Sequence, residues 1–190
     1  MKTFIYMVRH GYSLIEGNER RRALTEKGAA DAKVIADLLH GESFAAVISS
    51  PYERSILTVQ QIAQQLGKEV IIVQDLKERV FSKEDGRISD KELFPLLNRS
   101  FSEPTFALKG GESNADCQKR AVKFLKEVLN TYQGQKVVIG THGCVMTLIM
   151  RNYASKYDLN FLLQLSKPDL YVMEFSGQEL VMVNRVWGVS

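Results

Sequence analysis

Cysteine is scarce in this chain, with only Cys117 and Cys144 among 190 residues. Their spacing suits neither a metal module nor a disulfide framework, so two free thiols in a reducing compartment are expected. Long apolar runs are also missing. Phe4–Val8 is too short for a signal-peptide core, and nothing approaches the ~18 apolar residues of a membrane span. A soluble cytoplasmic protein with no membrane partner is therefore expected. Nor is there a strong excess of one charge. A net charge of +3 is too weak to argue for nucleic acid, yet it is compatible with anionic small molecules such as phosphates. The chain has no Walker-type loop, Gly-x-Ser-x-Gly elbow, His-Glu-x-x-His or Gly-x-Gly-x-x-Gly, which leaves a nucleotide fold or a zinc enzyme with little support.

What is present reads as one domain with a full core, since 45% of the residues are hydrophobic and no repeat, low-complexity tract or linker interrupts them. Short β-branched runs at Phe4–Val8, Ala45–Ser49, Val70–Val73 and Lys136–Gly140 predict strands. Helical periodicity fills the gaps, from Thr25 to about Leu39, over Glu53–Leu66 and over Asn114–Tyr132, the last two ending at Gly67 and Gly134. This βαβαβ order implies a parallel sheet covered on both faces. Leu170–Phe175 and Glu179–Val183 flank a Ser-Gly-Gln turn and predict a hairpin with an antiparallel strand at one edge. The expected fold is thus a three-layer α/β/α sandwich with a mostly parallel central sheet. Residues 76–112, with Pro95, Pro104 and four phenylalanines, break the rhythm and read as a partly helical, lid-like excursion over the strand ends.

Two of the three histidines share one setting, an apolar strand followed by His-Gly: His10 before Gly11 and His142 before Gly143. Residues just beyond strand carboxyl ends project into the ligand crevice of such a sheet, so both imidazoles are expected in one pocket. A phosphoryl-transfer site without a metal needs a nucleophile, donors for the equatorial oxygens and an acid for the leaving group. His10 is the candidate nucleophile. Arg9 and Arg54 are candidate clamps because planar guanidinium forks match phosphate oxygens. First-turn amides of the helix holding Arg54 are expected to face the anion as well. Positive neighbours should also lower the His10 pKa and keep the ring neutral.

Several separated blocks resemble the histidine phosphatase superfamily, the phosphoglycerate mutase-like enzymes, and occur in the family's order: Arg9-His10-Gly11, Leu24-Thr25-Glu26-Lys27-Gly28, Ser49 to Arg54, Gly110-Gly111-Glu112-Ser113 and Thr141-His142-Gly143. The resemblance implies a transient phosphohistidine on His10, a phosphate pocket of Arg9, Arg54 and His142, and no metal or cofactor. It also implies a carboxylic acid after the third strand, where Glu78 holds the family's place and Asp75, Glu84 and Asp85 are the alternatives. For Glu78 to be protonated near neutrality its pKa must be raised, by partial burial and the bound phosphate. Ser13 matches a hydroxyl position that binds phosphate. Two positions depart from the pattern, Tyr12 for an acidic residue and Glu16 for an asparagine, and Asn18 is close enough to substitute for the latter.

Blander roles compete at other positions. His40 reads as a helix-terminal residue, Cys144 as packing at a helix start, and Glu112 with Ser113 as a helix cap. Arg20, Arg21 and Arg22 read as a solvated face, with a second anion subsite as the alternative. The reading that results is a phosphatase acting on small phosphomonoesters. Two alternatives stand beside it: a bisphosphoglycerate-dependent mutase and a non-catalytic module that binds phosphorylated proteins.

Overall fold

The computed structural model describes residues 1–83 and 87–188. In chain order they form β1 (Lys2–Arg9), α1 (Glu26–Leu38), β2 (Ala46–Ser49), α2 (Glu53–Gln65), β3 (Val70–Ile72), α3 (Asp90–Ser102), α4 (Asn114–Thr131), β4 (Lys136–Thr141), α5 (Gly143–Arg151), α6 (Leu159–Gln164), β5 (Asp169–Ser176) and β6 (Glu179–Arg185). A 3-10 turn at Gln74–Leu76 follows β3.

The strands make one mixed sheet in the order β3-β2-β4-β1-β5-β6. The first four are mutually parallel, while β5 runs antiparallel to β1 and β6 antiparallel to β5. Period-two alternation divides the apolar side chains between two layers. Ile5, Met7, Ala46, Ile48, Val137 and Ile139 face α4 and α5, where Ala121, Leu125, Leu129, Val145 and Ile149 complete one core. Val8, Val47 and Val138 face the other way, onto Ile35, Ala36, Val59 and Ile62 of α1 and α2. This is the expected three-layer arrangement, with the hairpin strand β6 outermost on one side.

Local chemistry sets the helix starts. The Thr25 side chain accepts from Gly28 N at α1, and Ser113 forms a capping box with Asp116 at α4; such a cap contributes about 1 kcal/mol. Glu112, read from sequence as part of that cap, lies outside it and pairs with Arg120 instead. The interior Pro95 of α3 obscures that helix in the sequence, because proline removes a helix hydrogen bond. The six residues of α6 start at an Asp158 cap and give too short a periodic signal to be seen.

Chain order places the crevice. The chain passes from β1 to β2 and β3 on one side, then returns to insert β4 between β2 and β1. The carboxyl ends of β1, β4 and β2 therefore lie side by side.

Candidate active site

Register brings the two histidines together. Arg9 pairs with Thr141 across β1 and β4, and His10 N donates to Thr141 O at 3.1 Å. Both strands thus end at the same level, and the next residue of each is a histidine. The ring centroids are 5.2 Å apart.

His10 is buried and its ring is oriented at both nitrogens. Nδ1 lies 2.7 Å from Gly11 O, an atom that only accepts, so Nδ1 carries the proton. Nε2 accepts from Arg54 Nε at 3.3 Å, so its lone pair lies on the side of the guanidinium. Burial, then Arg54, hold the His10 pKa well below the usual 6.5, outweighing the Gly11 bond that favours the charged ring.

His142 is wholly buried behind His10 and does not line the cavity. Its Nε2 lies 2.7 Å from Ser50 Oγ, which already accepts from Tyr52 N. The single hydroxyl hydrogen is therefore available to Nε2, which leaves Nδ1 as the N–H. That Nδ1 has no hydrogen-bond partner among the described residues. Burial, then Arg54, lower the His142 pKa well below 6.5.

Arg9 reaches from β1 to the segment before β5, donating from Nη1 to Leu165 O at 2.9 Å. Its guanidinium lies flat against α5, where a Cβ on Gly143 would sit 3.0 Å from Arg9 Cζ. Glycine is needed there for close approach. Burial lowers the pKa of both Arg9 and Arg54, and both arginines stay cationic.

Arg54 holds the largest surprise. Its Nη1 donates to Glu19 O at 2.6 Å and its Nη2 to Glu19 Oε1 at 2.8 Å. The same carboxylate takes two bonds from Arg22, and Arg22 Nη1 also donates to Ser13 Oγ at 2.9 Å. Burial works to raise the Glu19 pKa, but the Arg22 hydrogen bond and the Arg54 charge outweigh it and keep the group ionised. Sequence reasoning missed Glu19. Its signal was the i, i+3 pair Glu19–Arg22 inside what read as a solvated charge run. Glu16 and Asn18 are exposed and lie outside the cavity lining, and Asn18 Oδ1 accepts from Arg20 N. Asn18 therefore does not substitute for the family's asparagine. The arginine run divides: Arg22 lines the cavity, Arg20 donates to Gln74, and Arg21 is exposed.

The α2 amides do not stand as expected. Glu53 N donates to Arg20 O at 3.0 Å, so that first-turn donor is taken by the chain itself. The helix start that receives a carboxylate is α5, where Glu78 Oε2 accepts from Cys144 N at 3.2 Å and Oε1 from Val145 N at 3.2 Å. Oε1 also accepts from Arg79 N at 2.8 Å. Glu78 is half-buried at the cavity wall, Asp75 is exposed outside it, and Glu84 and Asp85 lie outside the described residues. Cys144 lines the cavity, but burial pushes its thiol up, away from the reactive thiolate.

These groups open on a cavity of about 660 Å³. Arg9, His10, Ser13, Arg22, Arg54 and Glu78 form its polar end, and Phe81, Leu93, Leu97, Leu162 and Leu165 its apolar wall, with Lys167 beside them. Among the described residues no group of three or more His, Cys, Asp or Glu is placed to hold a metal ion, and no helix is long and apolar enough to cross a membrane.

Comparisons with known proteins follow the same lines. The chain is 32% identical over 123 residues to phosphoserine phosphatase 1 of Hydrogenobacter thermophilus, which covers 63% of this chain and 58% of that protein. It is 30% identical over 160 residues to a metal-independent phosphoserine phosphatase of Arabidopsis thaliana, covering 77% and 67% of the two chains. Among solved structures, a mycobacterial glucosyl-3-phosphoglycerate phosphatase superposes with a TM-score of 0.79 at 17% identity over 100% of both chains. Phosphoserine phosphatase from Entamoeba histolytica, in complex with 3-phosphoglyceric acid, superposes with a TM-score of 0.77 at 22% identity over 97% and 98%. The family model described as histidine phosphatase superfamily (branch 1) matches residues 5–187, and with the fold and the paired histidines in agreement, the chain belongs to that superfamily.

Proposed function

We propose that the chain is a metal-independent phosphatase that hydrolyses small phosphomonoesters through a phosphohistidine on His10. One observation carries the reading: Nδ1 is committed to Gly11 O, so the Nε2 lone pair is fixed on the side of the phosphate clamp. In the first half-reaction Nε2 forms a bond to phosphorus while the bond to the ester oxygen breaks. The incoming phosphoryl group displaces the long contact from Arg54 Nε. Glu78 gives the departing oxygen its proton from Oε2, which accepts one backbone bond where Oε1 accepts two. In the second half-reaction Glu78, now a carboxylate, takes a proton from water as the water oxygen bonds phosphorus and the bond to Nε2 breaks. Free phosphate leaves and His10 is regenerated neutral.

The oxygens are held by Arg9 and Arg54, with Ser13 at the rim, and an oxygen that enters between the two imidazoles meets the Nδ1–H of His142, which has no hydrogen-bond partner among the described residues. Phosphate must share Arg54 with Glu19 or displace it, and the nearby Arg22 gives the displaced carboxylate a partner. The leaving group lies toward Phe81, Leu93 and Leu97. Phosphoserine and 3-phosphoglycerate, named with the relatives, are the first esters to test. The two buried free cysteines suit a reducing, cytoplasmic setting.

The test is phosphate release from a phosphomonoester panel by wild-type and His10→Ala protein in the presence of a chelator, with an alkali-quenched search for the phosphoryl adduct. Release by wild type alone, with an acid-labile adduct on His10, is expected. An adduct on any other residue overturns the assignment, and conversion of 3- to 2-phosphoglycerate without phosphate release identifies a mutase. Tight phosphate binding without turnover of any ester identifies the binding module.

A further inference from the structure

Glu78 lies on irregular chain after the 3-10 turn, and while the first amides of α5 meet its carboxylate, its backbone belongs to no regular element. What holds that backbone is a latch from α4. Arg120 Nη1 donates to Asp75 O at 2.6 Å and Nη2 to Glu78 O at 3.2 Å. The same guanidinium is held by Glu112, with Arg120 Nε to Glu112 Oε2 at 3.0 Å and Nη2 to Oε1 at 2.5 Å. Glu112 then closes the far side. Its Oε1 accepts from Val80 N at 3.1 Å, and its own N–H donates to Val80 O at 2.8 Å. The backbone is gripped three residues before the proposed acid, at it and two residues after it. Gly111 permits the approach, since a Cβ there would sit 2.0 Å from Phe81 O. Both charged side chains are more than four-fifths buried, at 16% and 18% exposure, and neither lines the cavity.

We infer that Arg120 and Glu112 are positioning residues for the reaction, a buried ion pair that aims the Glu78 carboxyl at the leaving-group oxygen. This rests on the phosphatase reading above. A fork with several fixed donors is required, because an ammonium cannot reach Asp75 O, Glu78 O and Glu112 together. A displacement of about 1 Å at an acid costs on the order of 10²-fold in rate. That loss falls on esters whose alkoxide needs a proton and far less on esters whose leaving group departs as a stable anion.

The test compares kcat for phosphoserine, an alkyl ester, with kcat for 4-nitrophenyl phosphate. Arg120→Lys is expected to lower the alkyl-to-aryl ratio by about 10–10²-fold, and Glu78→Ala by about 10²–10³-fold. The double variant should lower the ratio no further than Glu78→Ala alone, because the latch acts through that carboxyl. Should Arg120→Lys fold poorly, Glu112→Gln keeps an acceptor for Val80 N, removes the charge that holds Arg120, and should move the ratio the same way. An unchanged ratio in a folded latch variant, or effects that multiply in the double variant, overturns the inference. Wild type inactive on both esters sinks the phosphatase reading and the latch with it, whereas an active wild type with an unchanged ratio in Glu78→Ala removes Glu78 as the acid and overturns the latch alone.

Discussion

The two ends of the cavity are built by different means. At the phosphate end, Arg9 is the last residue of β1, and His10 and His142 sit one step beyond strands whose pairing is fixed by a continuous ladder, so their places are set to within a hydrogen bond by sheet register. At the leaving-group end, Glu78 and Phe81 sit on irregular chain and Leu97 on α3, and side chains that reach distant groups hold them in place. Arg79, for example, donates to Ser100 Oγ at 3.1 Å and Phe106 O at 3.3 Å while its guanidinium lies 4.2 Å over the Phe81 ring. On the proposed function, chemistry common to every phosphoryl ester is thus anchored to the strand ladder, and recognition of the particular ester rests on the part most easily altered by a few substitutions.

The sharpest way to break this comparison is at its stiffest point. His10→Ala removes the nucleophile and no strand contact, so phosphate release should fall by about 10⁵-fold or more, with the urea midpoint of unfolding little changed. A tenfold residual rate would mean that another group attacks phosphorus. Arg54→Ala comes next. It removes one clamp from the oxygens and leaves Glu19 paired with Arg22, so kcat/KM should fall by about 10²–10³-fold. If inorganic phosphate inhibited that variant as well as wild type, Arg54 would not be holding the anion.

The same division decides what could be read in the sequence. The strand-His-Gly repeats carried the phosphate end, because apolar periodicity locates strand ends and parallel order puts those ends together. The capping boundary at Ser113 was legible for a similarly local reason. Glu19 was not, since it sits on the loop between β1 and α1, whose course depends on Gly28 meeting Tyr12, where a Cβ would lie 2.1 Å from Tyr12 O, and its partner Arg54 lies 35 residues away. Arg120 was invisible as well, one arginine on a helix whose targets lie 45 and 42 residues away. Long-range contacts of side chain to backbone leave no period to detect. Gly143→Ala probes the boundary between the two kinds of order. The new methyl would meet the Arg9 guanidinium at about 3.0 Å, forcing the clamp to move by a few tenths of an ångström while α5 gains helix propensity. We expect roughly tenfold lower kcat/KM with stability unchanged or raised. Full activity would show that the clamp need not lie against the helix.

The smallest expected effect is on stability, and it too separates the two ends. Both buried histidines have folded pKa values pushed well below 6.5, first by burial and then by Arg54. Above pH 6.5 they are neutral in both folded and unfolded chains and contribute nothing to the pH dependence. As pH falls below 6.5 the unfolded chain binds protons that the folded chain refuses, so stability declines toward the folded pKa values, by at most about 1.4 kcal/mol per pH unit for each histidine. His142→Gln keeps an acceptor for the Ser50 hydroxyl and removes one titrating ring, so its urea midpoint should fall less steeply between pH 6.5 and 5. Identical slopes for variant and wild type would show that His142 takes up its proton as readily in the folded chain as in the unfolded one, and the acceptor assigned to its Nε2 would lose its basis. Activity should behave differently over the same window, because a folded His10 that refuses protons stays nucleophilic. Phosphate release at pH 5.5 should therefore hold up while the margin against unfolding shrinks. That combination requires a nucleophile buried in the sheet crevice, and a solvent-exposed histidine at the cavity mouth would not give it.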